Sequence, residues 1–363
     1  MDKVYNFSAG PSVLPDEVKR DVQRDFLNYN NSGMSVTEMS HRGKVYEEIH
    51  YEAMNSLKQL MNIPDNYHIL FIQGGASQQF DAVPLNLLVN GKADYIVTGN
   101  FASKAAKVAN KYGDISIVAS SKDKNFTYIP DLKNIKYTDG ADYLHITTNN
   151  TIFGSRFVEY PKSNAPLVAD VSSNILAEPM NVADFGLLYA GAQKNVGPSG
   201  LTIVIVRKDL INNPMSICPE MLKYSEAANN DSLHNTPPCF SIYMASLVFR
   251  WLKKLGGVPA IQKINEEKAA LLYDFIDNSS FYKNPVEKKY RSLMNVPFTT
   301  PSQELDAKFV KEATAAGLIS LKGHRLVGGM RASIYNAMPV EGVKTLVNFM
   351  KKFELNSIGE MLK

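Results

Sequence analysis

The chain has 363 residues, 45% hydrophobic and 21% charged, with 39 basic against 36 acidic side chains and a net charge of +3. That is an ordinary globular balance, long enough that two domains are expected. No run of like charges points to nucleic acid or a membrane surface, no apolar run reaches the roughly 18 residues a bilayer span needs, and the first six residues lack the apolar core of a signal peptide.

Only Cys218 and Cys239 occur, too few for a disulfide framework, which fits a reducing, cytoplasmic compartment. The six histidines never pair at metal-ligand spacing, so no metal is expected.

From the N-terminus, the turn-rich Phe7-Ser8-Ala9-Gly10-Pro11-Ser12 precedes Pro15-Asp16, which opens a helix with Val18, Val22, Phe26 and Tyr29 on its inward face. A polar loop carrying His41 and Arg42 then leads into an amphipathic helix with Val45, Ile49, Ala53, Leu57 and Leu60 on one stripe. That His-Arg pair is available to a ligand, although alone it reads as solvated surface. Residues 67–72 form a predicted strand running into Gln73-Gly74-Gly75-Ala76-Ser77 and a helical pattern. A glycine turn at a helix N-terminus gathers unpaired N–H groups and the positive end of the dipole, where a phosphate can sit. It has neither the Gly-Lys-Ser/Thr of a P-loop nor three spaced glycines, so no nucleotide is indicated.

Strands and helices then alternate: strand 95–98, helix 103–112, and strands 115–118, 143–147, 167–169, 185–190 and 201–206. Such alternation predicts an α/β fold with a mainly parallel sheet and ligands at the carboxyl ends of its strands. Polar or aromatic groups follow several of these ends: Ser77, Phe101, Thr151, Asp170 and Gln193-Lys194. Asp170 closes an apolar run, and a carboxylate entering a core needs a cationic partner or a helix N-terminus to cap. Lys194 lies in a tight turn between two apolar strands, where a buried ammonium costs several kcal/mol unless its pKa falls or it is consumed chemically. A Schiff base with an aldehyde cofactor does both; the competing reading is a surface lysine at a hairpin tip. With lysine, acid and glycine turn on one sheet, pyridoxal phosphate is favoured, Asp170 facing its ring nitrogen.

Beyond the sheet, Asn235-Thr236-Pro237-Pro238 predicts an extended loop, and residues 242–255 an apolar helix closed by Gly256-Gly257. The boundary is placed there, giving a large cofactor-binding domain over 16–256 and a small C-terminal one over 257–363, with residues 1–15 packing on the latter. The small unit reads as α+β: helix 260–276, strand 294–298, helix 305–316, strands 318–321 and 331–335, helix 340–353. Its loop carries Lys322, His324, Arg325 and Arg331, and arginine forks suit a substrate with more than one acidic group.

Taken in order, Asn6 to Pro11, Ser40-His41-Arg42-Gly43, Asp170-Val171-Ser172-Ser173, Tyr189 to Asn195, Asn235 to Pro238, Lys322 to Arg325 and Gly329 to Pro339 resemble the class-V, fold-type I pyridoxal-phosphate aminotransferases over nearly the whole chain. The resemblance implies that family's architecture: a large domain with a mainly parallel seven-stranded sheet and a smaller α+β domain, paired as a homodimer with its sites at the subunit interface. It implies that Lys194 bonds the cofactor aldehyde, Asp170 pairs with the ring nitrogen, Thr151 meets the phenolic oxygen, and Ala76, Ser77 and Gln193, with Asn235 and Thr236 of the second subunit, hold the phosphate. Arg331 is implied on the substrate α-carboxylate, and His324, Arg325 and the neighbouring chain's His41 and Arg42 on its phosphate or side-chain carboxylate. Phe101 stands where many members have tryptophan over the ring, and Ser77 where some have arginine.

The implied reaction moves the amino group of glutamate to 3-phosphohydroxypyruvate, giving O-phosphoserine and 2-oxoglutarate in serine biosynthesis; whether 4-phosphohydroxythreonine, in pyridoxine biosynthesis, is a second substrate stays open. The alternative is another enzyme of the same fold, such as a cysteine desulfurase or lyase, which needs a reactive cysteine in the pocket. A third reading, a binding protein without catalysis, runs against the intact Lys194 and Asp170.

Overall fold

The computed structural model describes residues 4–361; residues 1–3 and 362–363 of the expected terminal segments lie outside them. The elements in order are β1 (Tyr5–Asn6), α1 (Asp16–Asp25), α2 (Lys44–Met61), β2 (Tyr67–Gln73), α3 (Gln79–Leu87), β3 (Lys92–Val97), α4 (Asn100–Ala109), β4 (Asp114–Ser120), β5 (Leu144–Thr147), β6 (Leu167–Asp170), β7 (Leu187–Gly191) and β8 (Leu201–Arg207). There follow α5 (Tyr224–Asn229), α6 (Cys239–Lys254), α7 (Val258–Asn278), β9 (Asn295–Phe298), α8 (Gln303–Ala315), β10 (Leu318–Ile319), β11 (Met330–Ser333) and α9 (Val340–Met361).

The central seven-stranded sheet has the order β2-β8-β7-β6-β5-β3-β4. β8 runs antiparallel to both its neighbours, and the other pairings are parallel. β5, β6 and β7 are buried along their whole length, as strands covered on both faces must be. Period-two alternation sorts their side chains: Leu144, Ile146, Leu167, Ala169, Leu188 and Ala190 join the core beneath α2 and α6, whereas Val168, Leu187 and Tyr189 join that beneath α3 and α4. Asp170, two residues on from Val168, therefore points to the α3–α4 side, in register with Thr147 on β5 and Tyr189 on β7. Each fully buried Leu, Ile, Val or Phe contributes about 1.5–3 kcal/mol, so reversing this alternation would forfeit most of the core.

Past Gly256 (φ 100) and Gly257 (φ 78), α7, α8 and α9 cover the antiparallel pair β9–β11. Their core includes Phe298, Phe309, Met330 and Phe353, and Phe7 from the N-terminus enters it where β1 pairs with β10.

Several local expectations shift. Phe26 lies past the end of α1 and is 48% exposed, edge-on to Phe240, not turned inward. α5 lies between the strand over 201–206 and the loop at Asn235, where no helix was expected, six residues being too few to display a helical period. The last helix continues to Met361.

Candidate active site

A cavity of about 140 Å³ lies where the strand ends converge, lined by Gly75, Ala76, Ser77, Phe101, Thr147, Thr151, Asp170, Ser172, Gln193 and Lys194 among others. The glycine turn reaches it because Gly74 adopts φ 122, which a side chain disfavours, and its N–H donates to Gly200 O at 3.1 Å. Gly99, before α4, admits the Asn150 side chain; a Cβ there would lie 2.2 Å from Asn150 Oδ1.

Lys194 is carried by the segment between β7 and β8. Ala192 N–H donates to Leu201 O at 2.9 Å, and Val196 and Gly197 N–H return to Ala192 O. The N-terminal segment braces the turn from outside: Ser12 N–H donates to Gln193 O at 2.9 Å and its hydroxyl to Lys194 O. The Lys194 amine donates to Thr151 Oγ1 at 2.6 Å and stands 5.6 Å from the centre of the Phe101 ring. Burial pulls its pKa down to about 8; the Asp170 charge works against this and Arg331 with it. Asp170 responds oppositely. Burial raises its pKa, while the Lys194 charge and hydrogen bonds from Ser172 hold it down.

Arg331, on β11, donates from Nη1 to the Thr151 carbonyl at 3.2 Å, so the residue that receives the Lys194 amine also anchors the guanidinium. Its Nε is buried without a partner among the described residues. His324 has its pKa lowered by partial burial and by the charges of Arg331, Arg325 and Lys104. Together with the exposed Arg325, it lines a separate cavity of about 640 Å³ beside the start of α8.

Of the residues expected at the site, Ala76, Ser77, Phe101, Thr151, Asp170, Gln193 and Lys194 line one cavity, and Arg331 bonds to it. His41, Arg42, Asn235 and Thr236 do not line that cavity within this chain; they sit on the loops leading into α2 and α6. His41 Nε2 and both ring nitrogens of His234 are buried with no partner among the described residues. Thr147 was not expected from the sequence, and Asn149, Ser172 and Ser173 only as members of the polar runs that follow the strand ends. The alternation Asp170-x-Ser172 was the available signal.

These side chains fit pyridoxal phosphate. The pocket pairs an amine with an acid, places an aromatic ring beside the amine, and includes Thr147, whose buried hydroxyl has no partner among the described residues.

Residues 4–346 match the family Aminotransferase class-V. The chain is 55% identical over 359 residues to a phosphoserine aminotransferase of Bacillus cereus, covering 98% of this chain and 100% of that one. It superposes with TM-score 0.96 and 48% identity on a phosphoserine aminotransferase from Bacillus circulans subsp. alkalophilus, covering 98% and 100% of the two chains. For a pyridoxal-phosphate-bound phosphoserine aminotransferase from Trichomonas vaginalis the TM-score is 0.93, at 39% identity and 96% and 100% coverage.

Proposed function

The chain belongs to the class-V aminotransferase family and is a pyridoxal-phosphate-dependent transaminase; on that premise we propose that it transfers the amino group of glutamate to 3-phosphohydroxypyruvate, giving O-phosphoserine and 2-oxoglutarate in serine biosynthesis. The observation carrying this reading is the Lys194 amine beside Asp170, one residue away from the Arg331 guanidinium through Thr151.

Lys194 would hold the cofactor aldehyde, Asp170 its ring nitrogen, Thr151 its phenolic oxygen and Phe101 one ring face. Ala76, Ser77 and Gln193 would hold its phosphate. When bound, pyridoxal phosphate supplies an electron sink for negative charge developing at the substrate Cα. The protein does the rest. Arg331 orients the substrate by its α-carboxylate, which suits a half-buried guanidinium with an unpaired N–H. The Lys194 amine, free and neutral, takes the Cα proton and later returns one, and its lowered pKa keeps a usable neutral fraction near physiological pH. Burial raises the Asp170 pKa, and the Lys194 charge and the Ser172 hydrogen bonds oppose that rise, favouring the carboxylate that would face the ring nitrogen.

The second acidic group of either substrate would meet His324 and Arg325, together with the partner subunit's His41 and Arg42, in a homodimer whose partner also lends Asn235 and Thr236 to the cofactor phosphate. Phe26, Leu27 and Met34, all exposed just ahead of His41, favour such an interface. A cytoplasmic location fits two unpaired cysteines. For the desulfurase or lyase alternative, neither Cys218 nor Cys239 lines the cavity, and burial raises the pKa of both thiols.

The test is a panel of phosphorylated and unphosphorylated 2-oxo acids with glutamate as donor. Phosphohydroxypyruvate is expected to be preferred; preference for unphosphorylated acids would overturn the substrate assignment. Lys194→Ala is expected to abolish turnover, and near wild-type turnover in that variant would refute the role of the lysine.

A further inference from the structure

Ser172 lies two residues past the end of β6 and is 5% exposed. Its N–H donates to Asp170 Oδ1 at 2.9 Å, and its Oγ accepts the N–H of Gly191 at 3.0 Å. The second bond falls where the parallel ladder runs out: the last register pair of β6 and β7 is Asp170 with Tyr189, and Val171 N–H then reaches Tyr189 O at 2.9 Å. One step further the Gly191 amide meets the Ser172 hydroxyl in place of a main-chain carbonyl. Since Oγ accepts from Gly191, its proton is left to donate, on the same residue whose amide already holds the Asp170 carboxylate.

We propose that Ser172 is a positioning residue for amino transfer, clamping the Asp170 carboxylate with its amide and hydroxyl and fixing that carboxylate against the end of β7, three residues before Lys194. This rests on the reading of Asp170 as partner of the cofactor ring nitrogen. Two donors from one residue hold a carboxylate both ionised and oriented, and the Gly191 bond prevents that residue from turning away. A serine that merely completed the strand ladder would affect folding alone.

The experiment titrates apo-protein with pyridoxal phosphate and follows the bound cofactor's visible absorbance against pH, for wild type, Ser172→Ala, Asp170→Asn and the double variant. In Ser172→Ala the apparent Kd is expected to rise roughly tenfold or more and the pH midpoint of the absorbance to move, with kcat falling more than KM changes. In the Asp170→Asn background, removing the hydroxyl is expected to change nothing further. Wild-type affinity and midpoint in Ser172→Ala, with a lowered melting temperature at most, overturn the proposal while leaving Asp170 in its role; so do additive effects in the double variant. An unperturbed Asp170→Asn overturns the reading of Asp170 and this proposal together. If Ser172→Ala does not fold, Ser172→Cys, which keeps the volume and a weak donor, is expected to bind several-fold more weakly than wild type. Unchanged binding there overturns the proposal.

Discussion

Lys194 and Asp170 face each other in one buried pocket, so the charge of either depends on the other. Burial favours the neutral form of both, and each charge favours its partner's. An amine reacts with an aldehyde only when unprotonated, and the Lys194 pKa lies near 8 against an ordinary 10.5. The rate at which apo-protein takes up pyridoxal phosphate is therefore expected to climb as pH rises through about 8 and to flatten above it; stopped-flow absorbance would measure this. Asp170→Asn removes the charge that holds the amine protonated, so the climb should move to lower pH in that variant. Phe101 keeps a ring beside the amine without the N–H an indole would add.

The turn between β7 and β8 is an element held in place by others. Besides Ser12, a chain of buried amides supports it. Asn195 Nδ2 donates to Ile175 O at 3.0 Å, Asn336 N–H donates to Asn195 Oδ1 at 3.0 Å, and Asn265 Nδ2 donates both to Asn336 Oδ1 and to Ala177 O at 2.9 Å. Asn336 Nδ2 completes it by donating to Leu176 O at 2.8 Å. This links the residue after Lys194 to α7 and to the segment that follows β11, and so ties the lysine to the unit bearing Arg331. Asn336→Ala strands the Leu176 carbonyl and one Asn265 N–H, each costing about 1–3 kcal/mol when buried. The expected result is a lower denaturant midpoint with an unchanged slope, measured by urea unfolding.

At the scale of the molecule, the proposed substrate site of a single chain is incomplete. His41 and Arg42, like Asn235 and Thr236, are anchored away from the chain's own cavity. α2, which follows the His-Arg pair, ties to the segment before Asn235, for His50 Nε2 lies 2.7 Å from Asp231 O and the Tyr51 hydroxyl donates to Asp231 Oδ2 at 3.1 Å. These bonds join the two segments that carry the groups assigned to a second subunit. We also propose the division into domains at Gly256-Gly257. Mixing Lys194→Ala with Arg42→Ala, each inactive alone, should generate hybrid dimers with one intact site. Random reassociation of equal amounts is expected to restore about a quarter of wild-type activity. No recovery, with exchange verified by native mass spectrometry, would place Arg42 outside the partner's site.

The α/β alternation, the apolar strands flanking Lys194 and the acid ending β6 were legible from residue order, because a strand buried on both faces must be written as continuous apolar sequence and a charge inside it stands out. Motif order likewise pointed to the family and the cofactor. What sequence could not supply was orientation and distant support. Thr147 and Ser172 become part of the site only once it is known which face of the sheet α3 and α4 cover. Ser12 braces Lys194 across 182 residues, a contact no local pattern encodes. Local propensity and hydrophobic period act over a few residues, whereas a shared proton environment is made by chain segments that meet only when the sheet has closed.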